Sequence, residues 1–240
     1  CKDMNWTGVT NSPALTTSST NNLLIIYGSL TLVNAMSLTF NGDISFEAPT
    51  TGHTIDFAGH ALPGNYTDIR FNGSGGEWTL LDSLDASEMY FNLDAGNLIT
   101  NGYDVSCRSF LGSNSNVRGL NLGSSTFRVT DGSWDSYTAT NFTFVKGTST
   151  ISVDRSSSTA RVYGGGLSFH NMILYWHTDI YLSNTFDSLI LVPGHTYTFD
   201  ASRTQTINNY LDVNGSCSSS IIIQSDAPGT QATFSKSTGS

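Results

Sequence analysis

The stretch Gly52–Ser74, GHTIDFAGHALPGNYTDIRFNGS, recurs without a gap at Gly194–Ser216 as GHTYTFDASRTQTINNYLDVNGS. Seven of the 23 aligned positions are identical, beginning with Gly-His-Thr and ending with Asn-Gly-Ser. Apolar positions keep their character, whereas polar positions change. Repetition at a fixed offset is typical of repeat proteins, in which each unit buries its apolar face against its neighbours. We call this pair of segments the long echo.

A shorter echo lies between the two copies. The segment Gly123–Val129, GSSTFRV, recurs at Gly147–Val153 as GTSTISV. In this register Leu120 falls on Phe144, although Leu122 falls on Lys146 and breaks the apolar match. The spacing between the copies indicates the coils of a parallel β-solenoid, which are roughly 20 to 30 residues long.

The register of the short echo makes a specific packing prediction. Because a solenoid stacks like residues on like, Phe127 and Ile151 are expected to point inward on neighbouring coils. Val129 and Val153 are expected to do the same. Solvent exposure of these four side chains would contradict the register.

The rest of the chain reads as short runs of alternating apolar and polar residues, which indicate half-buried strands. Asn-Gly turns and prolines fall between the runs, and no extended segment has a helical period. The class is therefore all-β. A parallel β-solenoid of about ten coils is favoured by the ungapped echoes, with a tandem β-sandwich as the alternative. Residues 1–22 are expected to form an N-terminal cap or connector, and 23–240 a single array.

Composition narrows the possible functions. Only 12% of residues are charged, and Ser, Thr, Asn and Gly take their place, which suits an extracellular protein with many exposed strands. A net charge of −9 argues against nucleic-acid binding, because that requires clustered Lys and Arg. No apolar run approaches the roughly 20 residues that span a bilayer, so membrane insertion is not expected.

The three cysteines, Cys1, Cys107 and Cys217, are too few and too far apart for a disulfide scaffold. Their spacing is not that of metal ligands either. Cys107 alternates with Tyr103 and Val105, so we expect it to be a small buried apolar residue.

No set of residues has the pattern of a catalytic or metal site. The densest acidic group is interpreted as a solvated loop edge rather than a cleft; it consists of Glu77, Asp82, Asp85 and Glu88. His53 and His195 occupy equivalent places in the long echo, so each is expected to satisfy a turn hydrogen bond. The stretch from Asp131 to Asp135 lacks the ligands of a calcium loop and predicts an Asx turn. The sequence therefore predicts no catalytic residue, no metal and no cofactor.

Two aromatic residues are candidates for binding. Trp78 and Trp176 alternate with apolar neighbours and are expected to be buried, whereas Trp134 and Tyr137 lie in a polar stretch. Exposed rings flanked by Asn, Asp and Thr hold sugars by stacking and hydrogen bonding. We therefore predict glycan contact at Trp134 and Tyr137.

Four motifs carry a resemblance to a known family: YGSLTL at Tyr27–Leu32, FNGSGGEWTL at Phe71–Leu80, LGSST at Leu122–Thr126 and GTQAT at Gly229–Thr233. With these motifs in this order, the chain resembles a repetitive family of phage tail-fibre-like, virion structural and bacterial surface proteins. The resemblance covers nearly the entire chain. It implies a β-solenoid on a virion or cell surface and offers no catalytic residues to transfer.

The expected function is a non-enzymatic structural and adhesive rod, on the virion surface or otherwise extracellular. It would be a segment of a phage tail fibre or other virion appendage, or of a filament or surface adhesin. The alternative is a polysaccharide-depolymerising tailspike-like enzyme, which would need carboxylates clustered on one face. The weakly charged, strand-like region Ser220–Ser235 leaves an open edge, so self-association is expected, as a homotrimer or an end-to-end filament. A host-surface glycan is the other expected partner.

Overall fold

A computed structural model describes residues 1–17 and 19–236, and every regular element in those ranges is a β-strand. The strands, numbered in chain order, are β1 (Met4–Asn5), β2 (Ala14–Thr16), β3 (Leu23–Ile26), β4 (Leu30–Thr31), β5 (Ser37–Thr39), β6 (Asp43–Phe46), β7 (His53–Asp56), β8 (Asp68–Leu80), β9 (Leu84–Ile99), β10 (Val105–Leu111), β11 (Arg118–Asn121), β12 (Thr126–Val129), β13 (Ser133–Asp135), β14 (Phe142–Val145), β15 (Thr150–Val153), β16 (Ala160–Tyr163), β17 (Ser168–Leu174), β18 (Thr178–Tyr181), β19 (Asn184–Leu191), β20 (Thr196–Phe199), β21 (Thr204–Asp212), β22 (Ile222–Ser225) and β23 (Thr233–Lys236).

The strands stack into three sheets, which the chain visits in turn within each coil. The first sheet contains β3, β6, β13, β16, β18, β20 and β22, with parts of β8, β9 and β10. The second contains β1, β4, β7, β11, β14 and β23, with parts of β8, β9, β17, β19 and β21. The third contains β2, β5, β12 and β15, with the remaining parts of the long strands.

The pairing between the named strands is parallel throughout, so the fold is a parallel β-solenoid of about ten coils. This confirms the predicted class and excludes the tandem β-sandwich, whose sheets are antiparallel. At about 4.8 Å per coil, the rod is about 50 Å long. Coil length varies: on the first sheet, the chain between Trp134 and its neighbour Val162 is much longer than that between Val162 and its next neighbour, Ile180.

The short echo is one coil of the solenoid. Phe127 pairs with Ile151 and Val129 with Val153 on adjacent strands, and all four side chains are buried. Their inward orientation confirms the predicted register. The register extends to the second sheet, where strands β11 and β14 pair with the same offset.

The long echo has a different meaning. Its first copy forms β7 on the second sheet, whereas its second copy forms β20 on the first sheet. Both copies begin with a glycine of positive φ, +85° at Gly52 and +92° at Gly194, so the shared text encodes the same turn entering a strand. The two copies of the long echo therefore form the same local structure on two different sheets.

The centre of the rod is an aromatic stack. Phe46, Phe71, Phe91, Phe110 and Trp134 occupy successive inward positions of the first sheet, with ring centroids 4.2 to 5.8 Å apart. In-register stacking brings these rings together because each coil places its inward residue directly over that of the coil before. Each such pair contributes about 0.5–1.5 kcal/mol beyond the burial of its area. We call these five residues the inner stack.

The two ends of the rod differ from its middle. At the N-terminal end, β1 and β2 pair with β4 and β5 and lie outside the first complete coil. At the C-terminal end, within the described part of the chain, β22 and β23 each pair on one side, with β20 and β21. Ile222 and Ile223 of β22 are exposed there.

Candidate functional site

Trp134, one of the two predicted glycan-binding residues, is inside the protein. It lies in β13, is fully buried, and stacks on Phe110 at a centroid distance of 4.2 Å. Its Nε1–H donates a hydrogen bond of 3.0 Å to Ser136 Oγ. The prediction of an exposed ring is wrong, because the polar stretch is a short strand whose alternation turns Ser133 and Asp135 outward and Trp134 inward.

Tyr137, the other predicted residue, is on the surface and belongs to a larger aromatic feature. It is 54% exposed and meets Tyr163 edge to face at 6.0 Å. Tyr163 stacks in turn on Tyr181, with centroids 4.5 Å apart and planes inclined by 14°. These three residues, which we call the tyrosine strip, follow the rod axis over three successive coils on the outside of the first sheet.

The strip forms because β16 and β18 carry the same outward pattern. Tyr163 and Tyr181 are paired in register. Val162 and Ile180 of the same strands are buried in the core, which leaves the alternate positions outside. The sequence signal is a charged residue, an aliphatic residue and a tyrosine, which occurs as Arg-Val-Tyr in β16 and again as Asp-Ile-Tyr in β18. Neither run alone is distinctive, so the sequence does not predict the tyrosine strip.

Beyond Tyr181, the surface opens into a shallow groove. A cavity of about 350 Å³ is lined by side chains from three coils: Asp179, Ile180, Tyr181, Thr198, Asp200, Gln224, Ser225, Asp226 and Pro228. Since one face of the Tyr181 ring is covered by Tyr163, the other face points toward the coil that carries Thr198 and Asp200. The groove therefore has an aromatic wall and a polar floor. We call it the acidic groove.

Two of its three carboxylates are fixed by backbone hydrogen bonds. Asp200 Oδ2 accepts the N–H of Leu182 at 2.9 Å, and Asp226 Oδ1 accepts the N–H of Ala201 at 2.8 Å. Each bond joins neighbouring coils, which orients the carboxylate.

The third carboxylate, Asp179, has no hydrogen bond or ion pair with the described residues. It acts on Tyr181 instead. Burial, and then the charge of Asp179, raise the pKa of the Tyr181 phenol above its ordinary value. A hydrogen bond with the Tyr163 phenol raises the pKa of Tyr181 further.

The acidic residues that are dense in the sequence do not converge in space. Glu77 lies on the second sheet, whereas Asp85 lies on the third. Asp82 accepts the backbone N–H groups of Phe57 and Gly59 at 2.8 and 2.7 Å. These residues do not come together, but their interpretation as a loop edge is wrong for three of them, because Glu77 lies in β8 and Asp85 and Glu88 lie in β9.

The two histidines of the long echo behave differently. His53 Nε2 lies 3.0 Å from Thr50 Oγ1, which confirms the predicted turn hydrogen bond. His195 makes no such bond: its buried Nδ1 has no partner among the described residues, and its ring packs against Trp176 at 4.3 Å. Burial, and then the neighbouring His177, lower the pKa of His195 below its ordinary value. The prediction is therefore wrong for His195, because its ring is turned toward other rings.

The remaining residues for which the sequence predicts a turn or burial are Asp131, Asp135 and Cys107. Asp131 forms an ion pair with Arg108, and the N–H of Ser133 donates to Ser109 Oγ, so the Asx turn predicted within Asp131 to Asp135 is wrong. An Asx turn begins where that stretch ends, since Asp135 Oδ1 accepts the N–H of Tyr137. Cys107 is buried as predicted, and burial raises the pKa of its thiol well above the ordinary value. Within residues 1–17 and 19–236, no three side chains of His, Cys, Asp or Glu come together in a way that suits a metal ion.

Comparison with known proteins returned no family model, no curated protein and no solved structure that matches this chain. In the part of the chain that the structure describes, no helix has the length and apolar character required to cross a membrane. No matching protein therefore assigns a function to the tyrosine strip or to the acidic groove. What that geometry offers is an aromatic surface, aligned with the rod axis, beside fixed hydrogen-bond acceptors.

Proposed function

We propose that this chain is a structural and adhesive rod that binds carbohydrate through the tyrosine strip and the acidic groove. The observation that carries the proposal is the stack of Tyr163 on Tyr181, extended by Tyr137, on the outside of a rigid parallel sheet. Sugars present C–H groups that pack on aromatic rings and hydroxyl groups that need hydrogen-bond partners. Both kinds of partner are present here.

A solenoid suits this task because it holds the binding groups in place before the ligand arrives. Backbone ladders fix the strands that carry Tyr163 and Tyr181, and a stacked ring loses little further freedom when a sugar binds. The spacing of about 4.8 Å between coils presents a row of equivalent positions along the axis. A linear polysaccharide lying along the rod would contact several coils at once.

The proposed setting is extracellular or on a virion surface. The chain would form a segment of a phage tail fibre or other virion appendage, or of an extracellular filament or surface adhesin. Its surface, poor in charge and rich in Ser, Thr and Asn, and its resemblance to tail-fibre-like and surface proteins support this setting. A rod about 50 Å long carries the binding surface away from its anchor.

Self-association is the second part of the proposal. Among the described residues, β22 and β23 are paired on one side only, and Ile222 and Ile223 of β22 are exposed. Open strand edges are templates for pairing with another chain. We expect a homotrimer or an end-to-end filament, which static light scattering of the chain will detect as a mass above that of the monomer. A stable monomer at high concentration would contradict this part.

The glycan contact is tested on an array of surface oligosaccharides, followed by calorimetric titration of the best ligand. Tyr181→Ala is expected to lower its affinity about tenfold, or about 1.4 kcal/mol, through loss of the stacking face. The matched control is Tyr175→Ala, an exposed tyrosine beside Arg128 and Ser152 on the third sheet, which should bind as the wild type does. Absence of binding, or equal loss in both variants, would contradict the proposal.

A second candidate function comes from the same groove. Asp179, Asp200 and Asp226 line it together, and hydrolysis of a glycosidic bond requires two carboxyl groups on either side of that bond. A polysaccharide-depolymerising enzyme is therefore the alternative. Incubation with capsular polysaccharide and measurement of new reducing ends distinguishes the two. Cleavage abolished by Asp179→Asn would favour the enzyme.

A further inference from the structure

We infer that the acidic groove selects sugars that carry a protonated amine, such as unacetylated hexosamine units, over neutral and acidic sugars. This inference rests on the proposed glycan binding and names the ligand class of that site. Its starting point is the arrangement of Asp179, Asp200 and Asp226 around the open face of Tyr181.

The carboxylates are placed as acceptors that a ligand can reach. The backbone bonds of Asp200 and Asp226 each use one oxygen, Oδ2 and Oδ1 respectively. The other oxygen of each carboxylate has no hydrogen bond with the described residues. Orientation by the backbone removes part of the entropic cost of forming a new charge-assisted bond. An ammonium group has three donors and suits such a set of acceptors.

These carboxylates also differ from the acids that form ion pairs elsewhere on the rod. Those acids contact cations closely: Asp94 contacts Arg70 at 3.0 Å, Asp154 contacts Arg128 at 2.9 Å, and Asp187 contacts Lys146 at 2.6 Å. Among the described residues, the acidic groove has no such close pair. Its one ion contact there joins Asp200 to Arg203 at 3.7 Å, and the Arg203 side chain is half exposed.

No Lys or Arg is among the described residues that line the groove. Arg161 is next to Asp179 in register, but it lies one coil earlier, on the side of the tyrosine strip. The local field is therefore negative, which repels uronic acids and attracts ammonium groups. The face of the Tyr181 ring adds to this preference, because aromatic faces attract cations.

The test compares three hexasaccharides by calorimetric titration of the full chain at low salt: glucosamine, N-acetylglucosamine and galacturonate. Glucosamine is expected to bind about tenfold more tightly than N-acetylglucosamine, and galacturonate is expected not to bind. Raising the salt concentration should reduce the difference between the first two, because screening weakens the charge term.

Three variants locate the effect. Asp179→Asn, which is isosteric, should lower glucosamine affinity about tenfold and leave N-acetylglucosamine affinity unchanged. Arg161→Gln removes a competing cation and should raise glucosamine affinity by roughly twofold to threefold. Asp154→Asn, a carboxylate on the third sheet, is the control and should change neither. Circular dichroism and thermal melting verify that each variant is folded.

The outcomes separate this inference from the proposal on which it rests. Equal binding of both hexosamines, with Asp179→Asn and Arg161→Gln indistinguishable from the wild type, overturns amine selection and leaves glycan binding standing. Binding of galacturonate alone also overturns it. If none of the three sugars binds, and the array of surface oligosaccharides gives no ligand either, the proposed function fails and takes this inference with it.

Discussion

The inner stack and the tyrosine strip belong to the same sheet but lie on opposite sides of it. The rings of Phe91 and Phe110 are buried, and those of Tyr163 and Tyr181 face outward, although both sets are stacked by the same register of parallel strands. In-register stacking places the residues at equivalent positions of successive coils in one row along the rod. Rows on the inside of the sheet stabilise the fold, and rows on the outside form a surface that can bind a ligand. Substitutions on the two sides should therefore have separate effects.

The largest effect is expected from a charge placed inside. Val129→Asp would bury a carboxylate between Cys107 and Val153, its neighbours in register, without a cation to pair with. We expect a loss of about 4 kcal/mol or more in the free energy of unfolding, measured by urea denaturation. The control is Arg128→Ala on the same strand, which should cost about 1 kcal/mol or less because its ion pair with Asp154 is exposed. Similar costs for the two would contradict the assigned orientation of β12.

Removal of one ring from the inner stack should have the next largest effect. Phe91 contacts Phe71 at 5.2 Å and Phe110 at 5.8 Å, so Phe91→Ala leaves a cavity between two coils. We expect a loss of about 3–5 kcal/mol in the free energy of unfolding. Glycan affinity, measured on the folded variant by titration, should not change. A drop in affinity as large as that of Tyr181→Ala would show that the two sides are not independent.

The corresponding change on the outside is Tyr163→Ala. It removes the central ring of the tyrosine strip, yet it leaves no cavity in the core. The free energy of unfolding should fall by about 1 kcal/mol, the value of lost ring contacts. Glycan affinity should fall about tenfold, since Tyr181 loses the ring that supports it. A loss of unfolding free energy as large as that of Phe91→Ala would contradict the separation of the two sides of the sheet.

The smallest expected effect depends on pH and concerns His195. Its pKa in the folded state is below the ordinary value, so the folded state binds the proton less readily than the unfolded chain does. The resulting stabilisation is complete above the ordinary histidine pKa of about 6.5 and is lost as the pH falls below it.

Chemical denaturation at about pH 7.5 and pH 5.5 measures this dependence. The fall in unfolding free energy between the two pH values should be smaller in His195→Gln than in the wild type. An identical pH dependence in variant and wild type would show that His195 titrates normally.

The sequence by itself determined the class and one register of this protein. Period-two alternation requires only local residues, and it correctly placed Trp78 and Cys107 inside. The short echo fixed the pairing of Phe127 with Ile151, because both coils happen to keep the same length and the same text. The alternation around Trp134 carried the same information, but so short a strand among polar neighbours could not be recognised.

Only the tertiary structure decided which residues meet across coils. On the first sheet, the chain from Trp134 to Val162 is much longer than the chain from Val162 to Ile180, and loop residues that leave no periodic signal make the difference. Contact between Tyr163 and Tyr181 follows from those loop lengths, as does the grouping of the groove carboxylates. Local sequence sets the side of the sheet on which a residue lies, because that depends on backbone alternation alone. The neighbour above or below it is set by the closure of the entire coil, which is a property of the folded chain.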